Sequence, residues 1–99
     1  MNKTEISKRL VNIVNDYFQT EDIALKANEE TILFGSDSVI DSMGLVYVIV
    51  QVEGQFLDEG IVVSLMSDIA MSRRRSPFKT ISTLSEFIEE QLTSDSYGK

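Results

Sequence analysis

The strongest constraint on the fold is an apolar stripe within residues 42–57 of this 99-residue chain. Its apolar side chains recur at intervals of three and four residues, which is the spacing of one helix face. They are Leu45, Val48, Ile49, Val52 and Phe56. The β-branched residues between Val46 and Val52 could also form a strand. A helix is favoured, because the run is longer than a typical strand and polar residues leave one side of it hydrophilic.

Two further apolar stripes predict helices over residues 4–18 and about 82–92. The residues expected on the core face of the first are Ile6, Leu10, Ile13, Val14, Tyr17 and Phe18, and the apolar residues of the second are Leu84, Phe87, Ile88 and Leu92. Short polar side chains that can accept a backbone N–H precede both stripes. Thr4 is expected to cap the first helix, and Thr80 or Ser82 the last.

The segments between these helices complete the predicted architecture. Residues 19–41 form a long polar connection, and such long loops in compact domains are often functional. Apolar residues are expected to pin this loop to the core: Ile23, Leu25, Ile32, Leu33 and Phe34. Gly60 is expected to end the second helix, and a short helix is predicted over about 65–72. The chain is therefore predicted to be one all-α domain of three longer helices and one short helix, with its core at about 4–92 and a flexible tail over 93–99.

The composition excludes several classes of enzyme. The chain contains no histidine and no cysteine, so a Ser-His-Asp triad, the usual zinc sites and disulfides cannot form. Residues 37–48 faintly resemble a calcium-binding loop, but Val39 and Val48 stand where oxygen ligands are needed. We therefore expect no catalytic residue and no metal site.

The lack of disulfides, of a signal peptide and of a long apolar run makes the cytoplasm the expected location.

The charge is acidic and unevenly distributed. The net charge is −7, and ten of the sixteen acidic residues lie between residues 21 and 68. This acidity argues against nucleic acid and anionic membranes as partners and favours basic proteins. The basic run Arg73–Arg75 is interpreted as a solvated turn.

Ser42 is the leading candidate functional residue. It follows Asp41 where the polar loop meets the apolar helix, so its hydroxyl is expected at a helix N-terminus. Unpaired N–H groups and the positive end of the helix dipole favour an anion there. With no histidine available as a base, Ser42 is better suited to carrying a phosphate group than to hydrolysis.

Met43, Val46 and Val50 lie beside the core stripe of the same predicted helix. They could be covered by the rest of the domain, or they could form a small exposed strip used for docking. The pattern alone leaves both interpretations open.

The string Asp41-Ser42-Met43-Gly44-Leu45, at the head of the second predicted helix, resembles the attachment motif of acyl carrier proteins. Met43 replaces the leucine that is common there. The resemblance covers about residues 4–92 and implies a four-helix bundle with a long first loop. The run from Ser76 to Ile81 is similar to stand-alone carriers outside housekeeping fatty-acid synthesis.

This resemblance implies a non-catalytic carrier. Ser42 would be esterified with 4′-phosphopantetheine from coenzyme A, and acyl or aminoacyl groups would be held as thioesters on the terminal thiol of that arm. Asp41 is expected to cap the second helix, and the resemblance implies that it would help to present the serine. The docking positions implied are Met43, Val46, Val50 and Glu53. The expected partners of a monomeric carrier are a phosphopantetheinyl transferase, an acyl-activating ligase or acyltransferase, and a ketosynthase or other acyl-transfer enzyme.

Three residues depart from the pattern of fatty-acid carriers. Gly44, Tyr47 and Gly54 stand where acidic residues are common in that family. A less charged recognition face favours a dedicated pathway, such as polyketide-like, nonribosomal or aminoacyl-transfer chemistry. The alternative is a binding or regulatory module with the same helical fold that is never modified.

Overall fold

The computed structural model describes residues 2–33, 37–63, 65 and 79–97, and for Ser42 and residues 93–97 the description covers the backbone. Within these residues, three helices form the framework: α1 (Lys3–Thr20), α2 (Ser42–Asp58) and α3 (Ile81–Tyr97). Across these ranges, pairing of the β type is limited to one isolated bridge. The predicted all-α class is confirmed. The predicted short helix over about 65–72 lies outside the described residues, except for Leu65, whose side chain is buried.

The start of α1 differs from the prediction. Asn2, not Thr4, is the N-cap: its side chain accepts the N–H of Glu5 at 3.0 Å, and the Glu5 carboxylate accepts the N–H of Asn2 at 3.4 Å. This reciprocal capping box satisfies two N–H groups that have no acceptor within the helix. Thr80 caps α3 in a similar way, because Thr80 Oγ1 accepts the N–H of Thr83 at 3.1 Å and Thr83 Oγ1 accepts the N–H of Thr80 at 3.0 Å.

Gly60 ends α2, as predicted. It has a φ of 80°, in the left-handed region that glycine enters without steric cost. Its N–H donates to Leu57 O at 2.8 Å, and the N–H of Ile61 donates to Phe56 O at 2.8 Å. These two bonds form a Schellman motif, which satisfies carbonyl groups at the end of the helix.

The predicted end of α3 at Leu92 is wrong. The helix continues to Tyr97, five residues further into the segment that was expected to be a tail. The segment contains no proline, and Gly98 is its first glycine, so no strong stop signal opposes continuation of the helix.

The core is a single cluster that lies along the apolar face of α1. This face of α1 packs against α2 and α3. Most of the predicted stripe positions are buried, whereas Leu45, Phe87 and Leu92 are partly buried. The fully buried large side chains are Ile6, Leu10, Val14, Phe18, Leu33, Val48, Val52, Phe56, Leu65, Ile81, Leu84 and Ile88. Leu25 was expected to pin the first loop but is exposed, whereas Ile40, which was not predicted, is buried.

The first loop is joined to the start of α3 by backbone hydrogen bonds. The N–H of Leu33 donates to Lys79 O at 2.8 Å, and the N–H of Ile81 donates to Thr31 O at 3.1 Å. Between these bonds, Ile32 forms an antiparallel bridge with Thr80. Together with the buried Leu33 side chain, these contacts hold the loop against the helical core.

Polar contacts supplement the apolar packing of α1. On its α3 side, Ser7 Oγ donates to Ser85 Oγ at 2.9 Å, and Ser85 Oγ donates to Ile81 O at 2.8 Å. Both serines are buried, so this chain of bonds removes the cost of burying two hydroxyl groups. On the α2 side, the Arg9 guanidinium binds both carboxylate oxygens of Glu59.

Leu10→Ala should lower the free energy of unfolding by about 2–5 kcal/mol, because Leu10 is 1% exposed in the core. The matched control is Leu57→Ala on α2, where the side chain is 61% exposed and the change should be within about 0.5 kcal/mol. Urea denaturation of both variants checks this. Equal losses at the two positions would contradict the assignment of the core.

Candidate functional site

The loop that leads to Ser42 is anchored just before the helix begins. Ser38 Oγ donates to Ile32 O at 2.8 Å and accepts the N–H of Ile40 at 2.9 Å. The Ile40 side chain is buried. Asp41 and Ser42 therefore follow a segment that is held by both hydrogen bonds and packing.

Asp41 is the N-cap of α2, as predicted from the sequence, and Ser42 is the first residue of the helix. The Asp41 carboxylate accepts the N–H of Gly44 at 2.8 Å, and the N–H of Leu45 donates to Asp41 O at 2.9 Å. The N–H groups of Ser42 and Met43 have no acceptor inside the helix. The first turn contains no acidic residue, so the positive end of the helix dipole is available to a negatively charged group.

Gly44 lies beneath the phenol of Tyr17 from α1. A Cβ atom added at Gly44 would stand 2.2 Å from Tyr17 Oη and 2.9 Å from Ile40 Cγ2, distances that no side chain can tolerate without movement of its neighbours. Glycine lowers helix stability by about 1 kcal/mol relative to alanine, and here the close approach of Tyr17 explains its presence. Gly44 is buried, so the interpretation that it belongs to an exposed recognition face is wrong.

Tyr17 connects the end of α1 with the first turns of α2. Its side chain is 7% exposed, and its ring centroid lies 5.9 Å from that of Tyr47 on α2. Burial raises the pKa of the Tyr17 phenol, and the negative charges of Asp41 and Glu21 raise it further. The charged form of this group is therefore disfavoured at the junction where Asp41 caps α2. Sequence reasoning placed Tyr17 on the core face of its helix and missed this contact.

The three apolar residues beside the core stripe of α2 form an exposed strip. Met43 is 77% exposed, Val46 40% and Val50 52%, and we call these three residues the α2 strip. The described part of the chain therefore does not cover these residues, and their use in docking stays a prediction. The strip begins at the residue that follows Ser42, so the apolar surface and the candidate attachment position are adjacent.

Glu53 stands apart from the other predicted site residues. It is half-buried, and its carboxylate accepts the N–H of Leu65 at 2.7 Å. It therefore holds the segment after α2 against that helix, and its docking role stays a prediction. The structure brings together Asp41, Ser42 and the α2 strip.

Comparisons with known proteins do not assign a family: a scan against protein-family models, a search of curated proteins and a search of solved structures each found no match. Over the described ranges, no cluster of three or more acidic side chains is arranged to hold a metal ion. Within the same ranges, no helix is long and apolar enough to cross a membrane.

The raised pKa of Tyr17 predicts a loss of stability in alkali. The native state holds the phenol proton more tightly than the unfolded chain, so above pH 10.0, the ordinary value, the unfolded chain deprotonates first. Titration of Tyr17 should leave the free energy of unfolding unchanged below that pH and should lower it above that pH. Tyr17→Phe should reduce the fall, as measured by urea denaturation at pH values from about 8 to 11.

Tyr47→Phe is the matched control for this measurement. Tyr47 is 41% exposed, and the substitution should leave most of the alkaline loss in place. The assignment to Tyr17 fails if the parent chain and Tyr17→Phe lose stability equally over this pH range.

Proposed function

We propose that this chain is an acyl carrier protein, in which Ser42 bears a 4′-phosphopantetheine arm. The observation that carries the proposal is the position of Ser42 as the first residue of α2, directly after the capping residue Asp41. The motif from Asp41 to Leu45 resembles the attachment motif of that family, and the helical start that the motif requires is present.

The attachment reaction uses coenzyme A as its second substrate. The Ser42 hydroxyl oxygen attacks the phosphorus atom that bears the pantetheine group, and a new P–O bond forms. The P–O bond to the second phosphate breaks, and adenosine 3′,5′-bisphosphate leaves with the electron pair. The serine proton would pass to a base of the phosphopantetheinyl transferase, and Mg²⁺ bound in the site of that enzyme would neutralise the pyrophosphate charge.

The residues around Ser42 suit a phosphodiester. Two N–H groups of the first turn lack acceptors within the helix, and the turn contains no carboxylate. The neighbouring carboxylate, that of Asp41, is bonded to the N–H of Gly44. When bound, the arm would supply the thiol that the cysteine-free chain lacks, while the chain itself would orient the arm and contact the partner enzymes.

The α2 strip supports docking of partners through apolar contact. Glu53 and Asp58 are the two charged residues of α2, and the Glu53 carboxylate accepts the N–H of Leu65. Partners that recognise carriers through basic patches would find little charge on this helix, so an apolar contact surface is the better match. This favours a carrier of a dedicated pathway, served by its own acyl-activating ligase or acyltransferase and its own acyl-transfer enzymes.

Incubation with coenzyme A, Mg²⁺ and a broad-specificity phosphopantetheinyl transferase should add one phosphopantetheine group per chain, as measured by intact-protein mass spectrometry. Ser42→Ala should abolish the addition. The matched control is Ser82→Ala, near the start of α3, which should be modified as fully as the parent chain.

Two outcomes would contradict the carrier function. The parent chain could stay unmodified in this assay and in its native host, or the adduct could persist in Ser42→Ala. The first outcome would instead favour an unmodified binding or regulatory module that acts through its exposed surfaces.

Val46→Ala should weaken recognition by the transferase without destabilising the fold. Val46 is exposed on the α2 strip, whereas Val48, two residues later, is fully buried. We expect Val46→Ala to lower kcat/KM about fivefold through KM, the effect of about 1 kcal/mol at an interface. Val48→Ala is the matched control: it should lower the free energy of unfolding by about 1–3 kcal/mol and leave KM of the folded fraction unchanged. Equal KM values for the parent chain and Val46→Ala would refute docking through the strip.

A further inference from the structure

A tertiary contact between α1 and α2 lies next to the attachment position, on the buried side of the motif. Gly44, two residues after Ser42, lies against the phenol of Tyr17, and Ile40, two residues before Ser42, approaches the same point. The place where a Gly44 Cβ would stand is 2.2 Å from Tyr17 Oη and 2.6 Å from Tyr17 Cζ. The end of the Tyr17 side chain thus occupies the space that a side chain at position 44 would need.

We propose that Tyr17 is a positioning residue for the modification of Ser42: its phenol, packed into the space left by Gly44, sets the position of the first turn of α2 relative to α1. The proposal rests on the proposed function, since it concerns presentation of the same serine. Tyr17 makes no contact with the transferred group in this mechanism and acts through the backbone that carries Ser42.

Three observations on the same helices support this role for Tyr17. Its side chain is almost completely buried at the end of α1, so it is not free to move away from Gly44. Its ring also packs against Tyr47, one turn further along α2, which extends the contact beyond a single residue. The Asp41 carboxylate bonds the N–H of Gly44, so the cap and the Tyr17 contact act on the same residue.

Gly54 provides an internal comparison. It lies on the same helix, and a Cβ added there would meet no heavy atom within 4 Å. Glycine at position 44 is therefore required by a neighbour, whereas glycine at position 54 is not. Substitution by alanine at the two positions makes the same chemical change with and without displacement of the Tyr17 contact.

The test measures kcat and KM for the attachment of phosphopantetheine to the full chain by a broad-specificity transferase with coenzyme A. The variants are Gly44→Ala, Tyr17→Leu, the double variant and Gly54→Ala, each assayed at a temperature where circular dichroism shows it to be folded. Partial unfolding only lowers the concentration of competent carrier and so raises the apparent KM. A displaced attachment position lowers kcat.

Gly44→Ala and Tyr17→Leu should each lower kcat by about tenfold to a hundredfold, the effect of a displacement of about 1 Å in the reacting group. Gly54→Ala should stay within about twofold of the parent chain. The double variant should recover kcat above both single variants, because leucine lacks the phenol end, which makes the two shortest contacts with the alanine methyl group, at 2.2 and 2.6 Å. Such recovery is a coupling between two positions that a general loss of stability would not produce.

Three results would overturn the inference. Folded Tyr17→Leu could be modified with the kcat of the parent chain. The double variant could be slower than both single variants, which would show independent damage. A parent chain that is never modified would refute the carrier function and this inference with it, whereas the first two results would leave the carrier function standing. If Gly44→Ala alone does not fold, Tyr17→Leu and the double variant still decide between these outcomes.

Discussion

The structure depends on the burial of one apolar face of α1. Over the described residues, the backbone of α1 lies close to the backbones of both other helices. Within the same residues, the backbones of α2 and α3 do not contact one another. The buried residues of α1 belong to the same core cluster as those of α2 and α3. Burial of apolar surface is the main favourable term in folding, and here the buried side chains of α1 form one cluster with those of α2 and α3.

The candidate site owes its position to contacts with both of the other helices. Tyr17 from α1 packs onto Gly44, within the first turn of α2. The first loop, which leads to Ser42, is bonded through Leu33 to the segment before α3. Without these contacts, a long polar loop would sample many conformations, and ordering it would cost much entropy. The contacts therefore hold Ser42 in one position.

The sequence predicted the features that depend on local signals and missed those that depend on distant contacts. Asp41 as the cap of α2 follows from a short polar side chain before an apolar stripe, and the structure agrees. The cap of α1 was misplaced at Thr4, although Asn2 and Glu5 already formed a capping-box pattern. The burial of Gly44 could not be read from its neighbours in sequence, because the residue that requires it, Tyr17, belongs to another helix.

The buried pair Ser7 and Ser85 has a consequence for the alignment of α1 with α3. Apolar stripes repeat along a helix, so two of them can mate in several registers separated by one turn. Sliding α3 by a turn would carry Ser85 away from Ser7. The buried Ser7 hydroxyl would then lose its hydrogen-bond acceptor, which costs about 1–3 kcal/mol. The hydrogen bond between the two serines thus favours one alignment of α1 with α3 over the others that apolar packing alone would allow.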